Sequence, residues 1–248
     1  MTSERRYRVG TSGWQYDHWR YTFYPEDLPK RDWFSYYSRN FDCVELNNSF
    51  YRQPKDQTWD HWHDAAPPGF RFAVKANRFI THMKRFKDCE EPLRRFLAGA
   101  RRLKTSLGPI LYQTPPNFEC SEGNLERLDT FLSLLPAELE HVFEFRNAQW
   151  FGAEALDLLR AHGAGFCIQD MPGMECPVAV TAGYAYLRFH GVDQPYSGLY
   201  SDQALEAWAR TIRDLEGVDD IWAFFNNDAN ANAVANARTL ARLLTTGD

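Results

Sequence analysis

Tyr184-Ala-Tyr-Leu-Arg-Phe-His190 decides the fold of this chain. Its last four residues alternate, with Leu187 and Phe189 apolar and Arg188 and His190 polar. Successive side chains of a strand point to opposite faces, so the two polar groups share one face. Three other strand-like runs end the same way: Glu45 and Asn47 flank Leu46, Lys75 and Asn77 flank Ala76, and Glu144 and Arg146 flank Phe145. A fifth run closes on Asn226, Asn227 and Asp228. In a barrel sheathed by helices, the apolar face packs outward and the polar face points into the mouth. The repetition predicts a single pocket lined by charge from many strands.

Working outward from that run, eight strands are predicted, at 7–12, 43–49, 71–77, 109–113, 141–146, 165–169, 184–190 and 221–226. They are rich in Val, Ile, Phe and Tyr. Helical periodicity fills most gaps: Leu93, Phe96, Leu97, Ala100 and Leu103 form one stripe, and Leu125, Leu128, Phe131, Leu132 and Leu135 another. Further helices are expected over 153–162, 202–215 and 229–244, with Asn124, Ser201 or Asp202, and Asp228 as N-caps. Residues 171–183 hold two prolines and little periodicity, which reads as a loop with an incomplete helix. Strands alternating with helices imply a parallel sheet. Eight of each in 248 residues predict an α/β fold, a single (β/α)8 TIM barrel spanning 1–248. There is no linker, no G-x-G-x-x-G after a strand and no P-loop motif.

The composition is that of an ordinary globular domain, 44% hydrophobic and 25% charged. A formal net charge of −5 argues against bulk electrostatic attraction to nucleic acid. Met1 to Arg8 is polar, unlike the apolar segment of a signal peptide. No run of apolar residues is long enough to span a membrane. Five cysteines, an odd number without a C-x-x-C pair, favour neither a disulfide framework nor a zinc knuckle. The expectation is a reduced, cytoplasmic protein.

TIM-barrel chemistry sits at the C-terminal ends of the strands. There the sequence places Glu45, Glu144, Asp170 and Asp228, the cations Lys75, Arg146 and Arg188, and His190, which titrates near neutrality. Asn47, Asn77, Gln113, Asn226 and Asn227 add donors and acceptors, and His82 follows on the rim. A self-satisfied ion network would explain these charges without any ligand. Apolar layers would fill a barrel with less desolvation, so the charges point to a ligand instead. Three cations favour a small anion such as a phosphate or carboxylate. With one His at a strand end and cations crowding it, no metal site is expected beyond a loosely held Mg2+ on a phosphate ligand. The basic rim from Arg78 to Lys87 interleaves Phe79 and Phe86 with cations, a mixture that suits a nucleic-acid strand or the surface of a solvated turn. The aromatic loop from Trp14 to Pro25 could stack a sugar or base, although such density more often packs a long loop down.

These strings in order resemble one family. Gly10-Thr-Ser-Gly-Trp14, Val44-Glu-Leu-Asn47, Ser49-Phe-Tyr-Arg52, Phe72-Ala-Val-Lys75, Glu144-Phe-Arg146, Arg188-Phe-His-Gly191 and Phe225-Asn-Asn-Asp228 are similar to the TIM barrels grouped as domain of unknown function 72. The resemblance runs from about Tyr7 to Leu244. It implies the barrel and a shared pocket, and no particular reaction. Tyr21 stands where the family usually has glycine. The sequence thus leads to an enzyme, weakly a hydrolase, acting on a phosphate- or carboxylate-bearing substrate. Glu45 or Glu144 would be the base, with His190 as acid or second base, and Lys75, Arg146 and Arg188 would clamp the anion. The alternatives are a non-catalytic barrel that binds an anionic metabolite, and nucleic-acid processing along the rim. Oligomeric state is not legible.

Overall fold

The computed structural model describes residues 5–246; the ends of the expected 1–248 domain, including Met1 to Glu4 of the polar N-terminus, lie outside them. Eight parallel strands form one sheet: β1 (Arg6–Thr11), β2 (Cys43–Leu46), β3 (Arg71–Lys75), β4 (Leu107–Gln113), β5 (His141–Glu144), β6 (Gly165–Asp170), β7 (Tyr184–Phe189) and β8 (Asp220–Phe225). β1 pairs with β8, and each later strand with its neighbour in sequence. The barrel closes between β1 and β2, where Ser12 bridges Glu45 and the Gly13 amide donates to the Glu45 carbonyl at 2.9 Å. Gly10 permits that approach, because a Cβ there would sit 2.5 Å from the Cys43 carbonyl oxygen.

Helices α1 (Trp33–Tyr37), α2 (Asn48–Tyr51), α3 (Asp56–Ala65), α4 (Glu90–Ala100), α5 (Glu122–Leu132), α6 (Ala153–Ala161), α7 (Asp202–Arg213) and α8 (Asn232–Thr245) wrap the barrel. The β6–β7 crossover has no helix; residues 171–183 run as a loop, as their prolines led one to expect. The helical stripe expected from Leu93 to Leu103 breaks into 3-10 turns after Ala100, and Lys104 takes φ 49°. Of the expected caps, Ser201 is one: its hydroxyl accepts from the Ala204 amide at 3.2 Å. Asn124 is not, since α5 begins at Glu122. Asp228 is not either. Asn230 and Ala231 turn left-handed after it, and α8 starts at Asn232.

Strand parity sorts the side chains. Val44, Leu46, Phe72, Val74, Ile110, Phe143, Leu187 and Phe189 face outward into the helical layer. Each such side chain contributes about 1.5–3 kcal/mol by leaving water. Cys43, Ala73, Leu111, Val142, Cys167, Tyr186, Trp222 and Phe224 meet in a separate buried cluster that fills the barrel lumen. Two residues further on along the same parity come Glu45, Lys75, Gln113, Glu144, Gln169, Arg188 and Asn226. The lumen therefore changes from hydrocarbon to polar in one layer.

Candidate functional site

At the C-terminal mouth a cavity of about 420 Å³ opens above that polar layer. Its wall includes Lys75, Arg188, Asn47, Asn226 and Asp228, together with Trp14, Tyr16, Phe50, Tyr51 and Tyr196. That size suits a small metabolite.

Arg188 is the hub beneath the cavity, 1% exposed. Its Nη1 donates to Glu144 Oε2 at 2.6 Å and its Nη2 to Glu45 Oε1 at 2.7 Å. Ser12 Oγ and the Tyr186 hydroxyl donate to the two Glu45 oxygens at 2.6 and 2.7 Å. Arg146 Nη2 reaches Glu144 Oε1 at 2.6 Å. Burial pushes the Glu144 carboxyl up, but Arg146 and Arg188 outweigh it and hold it well below the usual carboxylate range. Glu45 is likewise lowered: Arg188, Ser12 and Tyr186 outweigh the burial that would raise it.

His190 is fully buried, and that burial pulls its imidazole down to about 4. Its Nε2 lies 3.1 Å from Glu144 Oε1 and 3.0 Å from Arg146 Nη2. The guanidinium can only donate and already does so to Glu144. The consistent assignment gives His190 Nε2 the hydrogen, donated to Glu144, and leaves Nδ1 to accept from Asn226 Nδ2 at 3.3 Å.

Lys75 differs from these groups. Among the described residues its Nζ makes no hydrogen bond and no ion pair, and it lies 4.3 Å from the centre of the Phe50 ring. Burial, with Arg188 beside it, lowers its ammonium to about 8 against the pull of Glu144 and Glu45. Of the three cations expected to clamp an anion, two are thus committed to carboxylates and Lys75 is not. Among the described residues Arg188 Nε and Arg146 Nε are both buried donors without a partner.

The remaining sequence-predicted residues divide. Asn47, Asn226 and Asp228 line the cavity, and Gln113 is buried at its strand end, its Nε2 donating to the Thr114 carbonyl at 2.6 Å. Asn77 instead shapes the next loop, donating to the Ser49 carbonyl at 3.0 Å and accepting from the Phe79 amide at 2.9 Å. His82 packs edge-on to Phe50 with ring centroids 5.0 Å apart, and burial and nearby cations lower it to about 4. Asp170 has outward parity and accepts from Trp208 Nε1 on α7 at 2.8 Å. The inward residue is its neighbour Gln169, which the sequence reading passed over although its parity with Cys167 signals it. Asn227 ties the β7 loop to α8, donating to Gly198 O and Asn236 Oδ1 at 2.8 and 2.9 Å. Asp228 receives His18 Nε2 and Trp19 Nε1 on its carbonyl, at 2.8 and 3.0 Å, where the sequence suggested a helix start offering donors.

In the aromatic loop Trp19, Phe23 and Tyr24 are buried and pack it down, Tyr24 stacking on Trp33 at 4.5 Å, while Trp14 and Tyr16 reach the cavity wall. Tyr21 adopts φ 67°, a conformation natural to the glycine it replaces. Along the rim Phe86 inserts between Phe118, Phe131 and Phe143, and Phe79 is 38% exposed. Ser12, Tyr186, Tyr51 and Tyr196 complete the site without having been singled out beforehand. Among the described residues no three His, Cys, Asp or Glu side chains gather as metal ligands, and no helix is long and apolar enough to cross a membrane.

The family described as "Protein of unknown function DUF72" matches residues 8–248, and the chain belongs to it. A DUF72 family protein from Thermotoga maritima, TM1631, is 31% identical, with 96% of this chain and 99% of that one superposed at a TM-score of 0.89. EF0366 from Enterococcus faecalis shares the fold at 20% identity, covering 98% and 97% of the chains with a TM-score of 0.83. The UPF0759 protein YunF of Bacillus subtilis is 26% identical over 268 residues, 95% of this chain and 94% of YunF.

Proposed function

We propose that this family member is an enzyme acting on a small substrate bearing a phosphate or carboxylate, bound in the barrel mouth with its anion between Lys75 and Arg188. The observation that carries this is Lys75 on the cavity wall, its Nζ without a hydrogen-bond or ion-pair partner among the described residues, next to Arg188, whose buried Nε also lacks one. With Glu45 and Glu144 offset by Arg188 and Arg146, and His190 neutral, the Lys75 ammonium is the cation of this layer left without a carboxylate partner, while the other carboxylate of the wall, Asp228, lies 3.4 Å from His18 Nε2. A partly desolvated cation without a counter-ion costs stability, which a bound anion restores. Asn47 and Asn226 supply neutral contacts to the rest of the ligand.

Within this reading the two glutamates are positioning residues. All four of their oxygens accept hydrogen bonds, and their lowered basicity suits anchoring better than proton abstraction. The hydrolytic route favoured by the sequence then needs another base at the mouth, and Asp228, raised by burial, is the carboxyl available there. We place the protein in the cytoplasm, in keeping with its five unpaired cysteines, two of them in the lumen cluster.

Thermal-shift titration with inorganic phosphate, then with phosphate- and carboxylate-bearing metabolites, tests the proposal on wild type and Lys75→Met. Saturable stabilisation of the wild type, absent in the variant, is expected, with at least one ligand consumed when followed by NMR. Equal stabilisation of both proteins would remove the anion seat. Ligands that bind but are recovered unchanged would leave a binding barrel.

A further inference from the structure

The chain holds 22 arginines and only 6 lysines. Where it needs a fixed cation inside the barrel it uses arginine, at 146 and 188. At the one interior position without a carboxylate partner it uses lysine. Arginine would bind an anion bidentately and stay charged at every relevant pH, whereas a lysine amine can lose its proton and react at nitrogen. The Lys75 side chain ends in the cavity, its Nζ against an aromatic face, and makes no hydrogen bond that would hold its lone pair protonated.

We propose that Lys75 is a covalent catalytic residue that forms an imine with an aldehyde or ketone carbonyl of the substrate. The inference rests on the reading that the mouth takes a small anionic ligand, and it narrows that ligand to a carbonyl compound carrying a phosphate or carboxylate. The neutral amine attacks the carbonyl carbon, forming the C–N bond as the carbonyl π pair moves to oxygen. Transfer of the nitrogen proton and one further proton to that oxygen releases water and leaves a protonated C=N. Asp228 lines the same cavity and, unlike Glu45 and Glu144, is not held by a guanidinium; it relays these protons. The iminium carries one positive charge where the ammonium carried one. Glu45, Glu144 and the substrate anion beside Arg188 therefore face the same charge before and after the step.

Burial assists the first step, since an ammonium lowered to about 8 is neutral in about a tenth of molecules at pH 7, against well under a hundredth for a free lysine. Phe50 excludes water from one side of the nitrogen, which protects an imine from hydrolysis.

The test is reductive trapping. The full-length protein is incubated with pyruvate, glyoxylate or dihydroxyacetone phosphate and sodium cyanoborohydride at pH 7, then digested and mapped by mass spectrometry. Hydride addition converts the imine to a stable secondary amine. At least one probe is expected to label the Lys75 peptide to near stoichiometry, at least tenfold above Lys30, Lys55, Lys84, Lys87 or Lys104, and inorganic phosphate should compete. Lys75→Arg, checked for folding by circular dichroism, should show only the background on the exposed lysines. Label spread evenly over the lysines, or absent from Lys75 with every probe, overturns the proposal. If phosphate still stabilises the wild type in that case, the anion seat survives without the imine. Trapping at Lys75 that phosphate does not affect would support the imine and remove the anion seat.

Discussion

The two ends of the barrel carry similar numbers of charges and use them differently. At the mouth, Glu45, Glu144, Arg146, Arg188 and His190 are buried and bonded to one another. At the floor, Arg6 pairs with Asp220 at 2.5 Å and Arg8 with Asp42 at 3.3 Å, where water reaches at least one partner of each pair. Among the described residues the Glu140 side chain lies with these floor groups without a hydrogen-bond or ion-pair partner, and burial raises its carboxyl to about 7. Exposed pairs contribute little and lose little when broken. A buried network is costly to assemble and far more costly to disrupt, because whatever remains is an uncompensated charge. The mouth keeps such a network, with Lys75 left without a carboxylate, directly below a cavity. The proposed ligand seat rests on that difference.

Four experiments would break or sharpen this contrast. The largest effect should come from Arg188→Met, which strands both Glu45 and Glu144. Urea denaturation is expected to show a loss of about 3–5 kcal/mol, and a loss below about 1 kcal/mol would mean that the hub is dispensable. Acid should act next. His190 is held near 4 in the folded protein and returns to its ordinary 6.5 when unfolded. Its contribution is therefore complete above 6.5 and is lost as pH falls through 4. Stability should drop by about 3 kcal/mol across that window from this group, and His190→Gln should flatten part of the slope.

Lys75→Met comes third. Removing a desolvated amine should raise the melting temperature of the ligand-free protein by several degrees at pH 7. The lysine's folded pKa is lowered to about 8, so the wild type should gain stability from pH 8 towards 10.5, and the variant should not. A variant less stable at every pH would assign Lys75 to the scaffold. The smallest change belongs to the floor. Arg6→Ala should cost less than about 1 kcal/mol, and less again in high salt; a cost matching that of Arg188→Met would erase the distinction between the two ends.

The period-two alternation at the strand ends made most of the barrel legible. Parity is a property of the local backbone, and it put Glu45, Lys75, Glu144 and Arg188 on the inner face without any knowledge of the rest. It failed where strand ends were misjudged by a residue. Asp170, one position beyond Gln169, faces α7, and Asn227, one beyond Asn226, faces α8. The aromatic wall was legible only in part, because density of rings in a loop does not reveal which ones the core claims. Trp19 and Tyr24 went inward, and Trp14 and Tyr16 of the same loop reached the cavity wall.

Residue type and spacing by themselves determined the eight strands, the closed parallel sheet and the polar layer at its C-terminal end, since hydrophobic periodicity is written along the chain. Only the tertiary structure decided how that layer is wired: which carboxylate each guanidinium takes, which tautomer His190 adopts, and that Lys75 alone among the cations of the mouth is left without a carboxylate. Pairing depends on distances between residues as much as 143 positions apart, and those distances exist only once the barrel has closed.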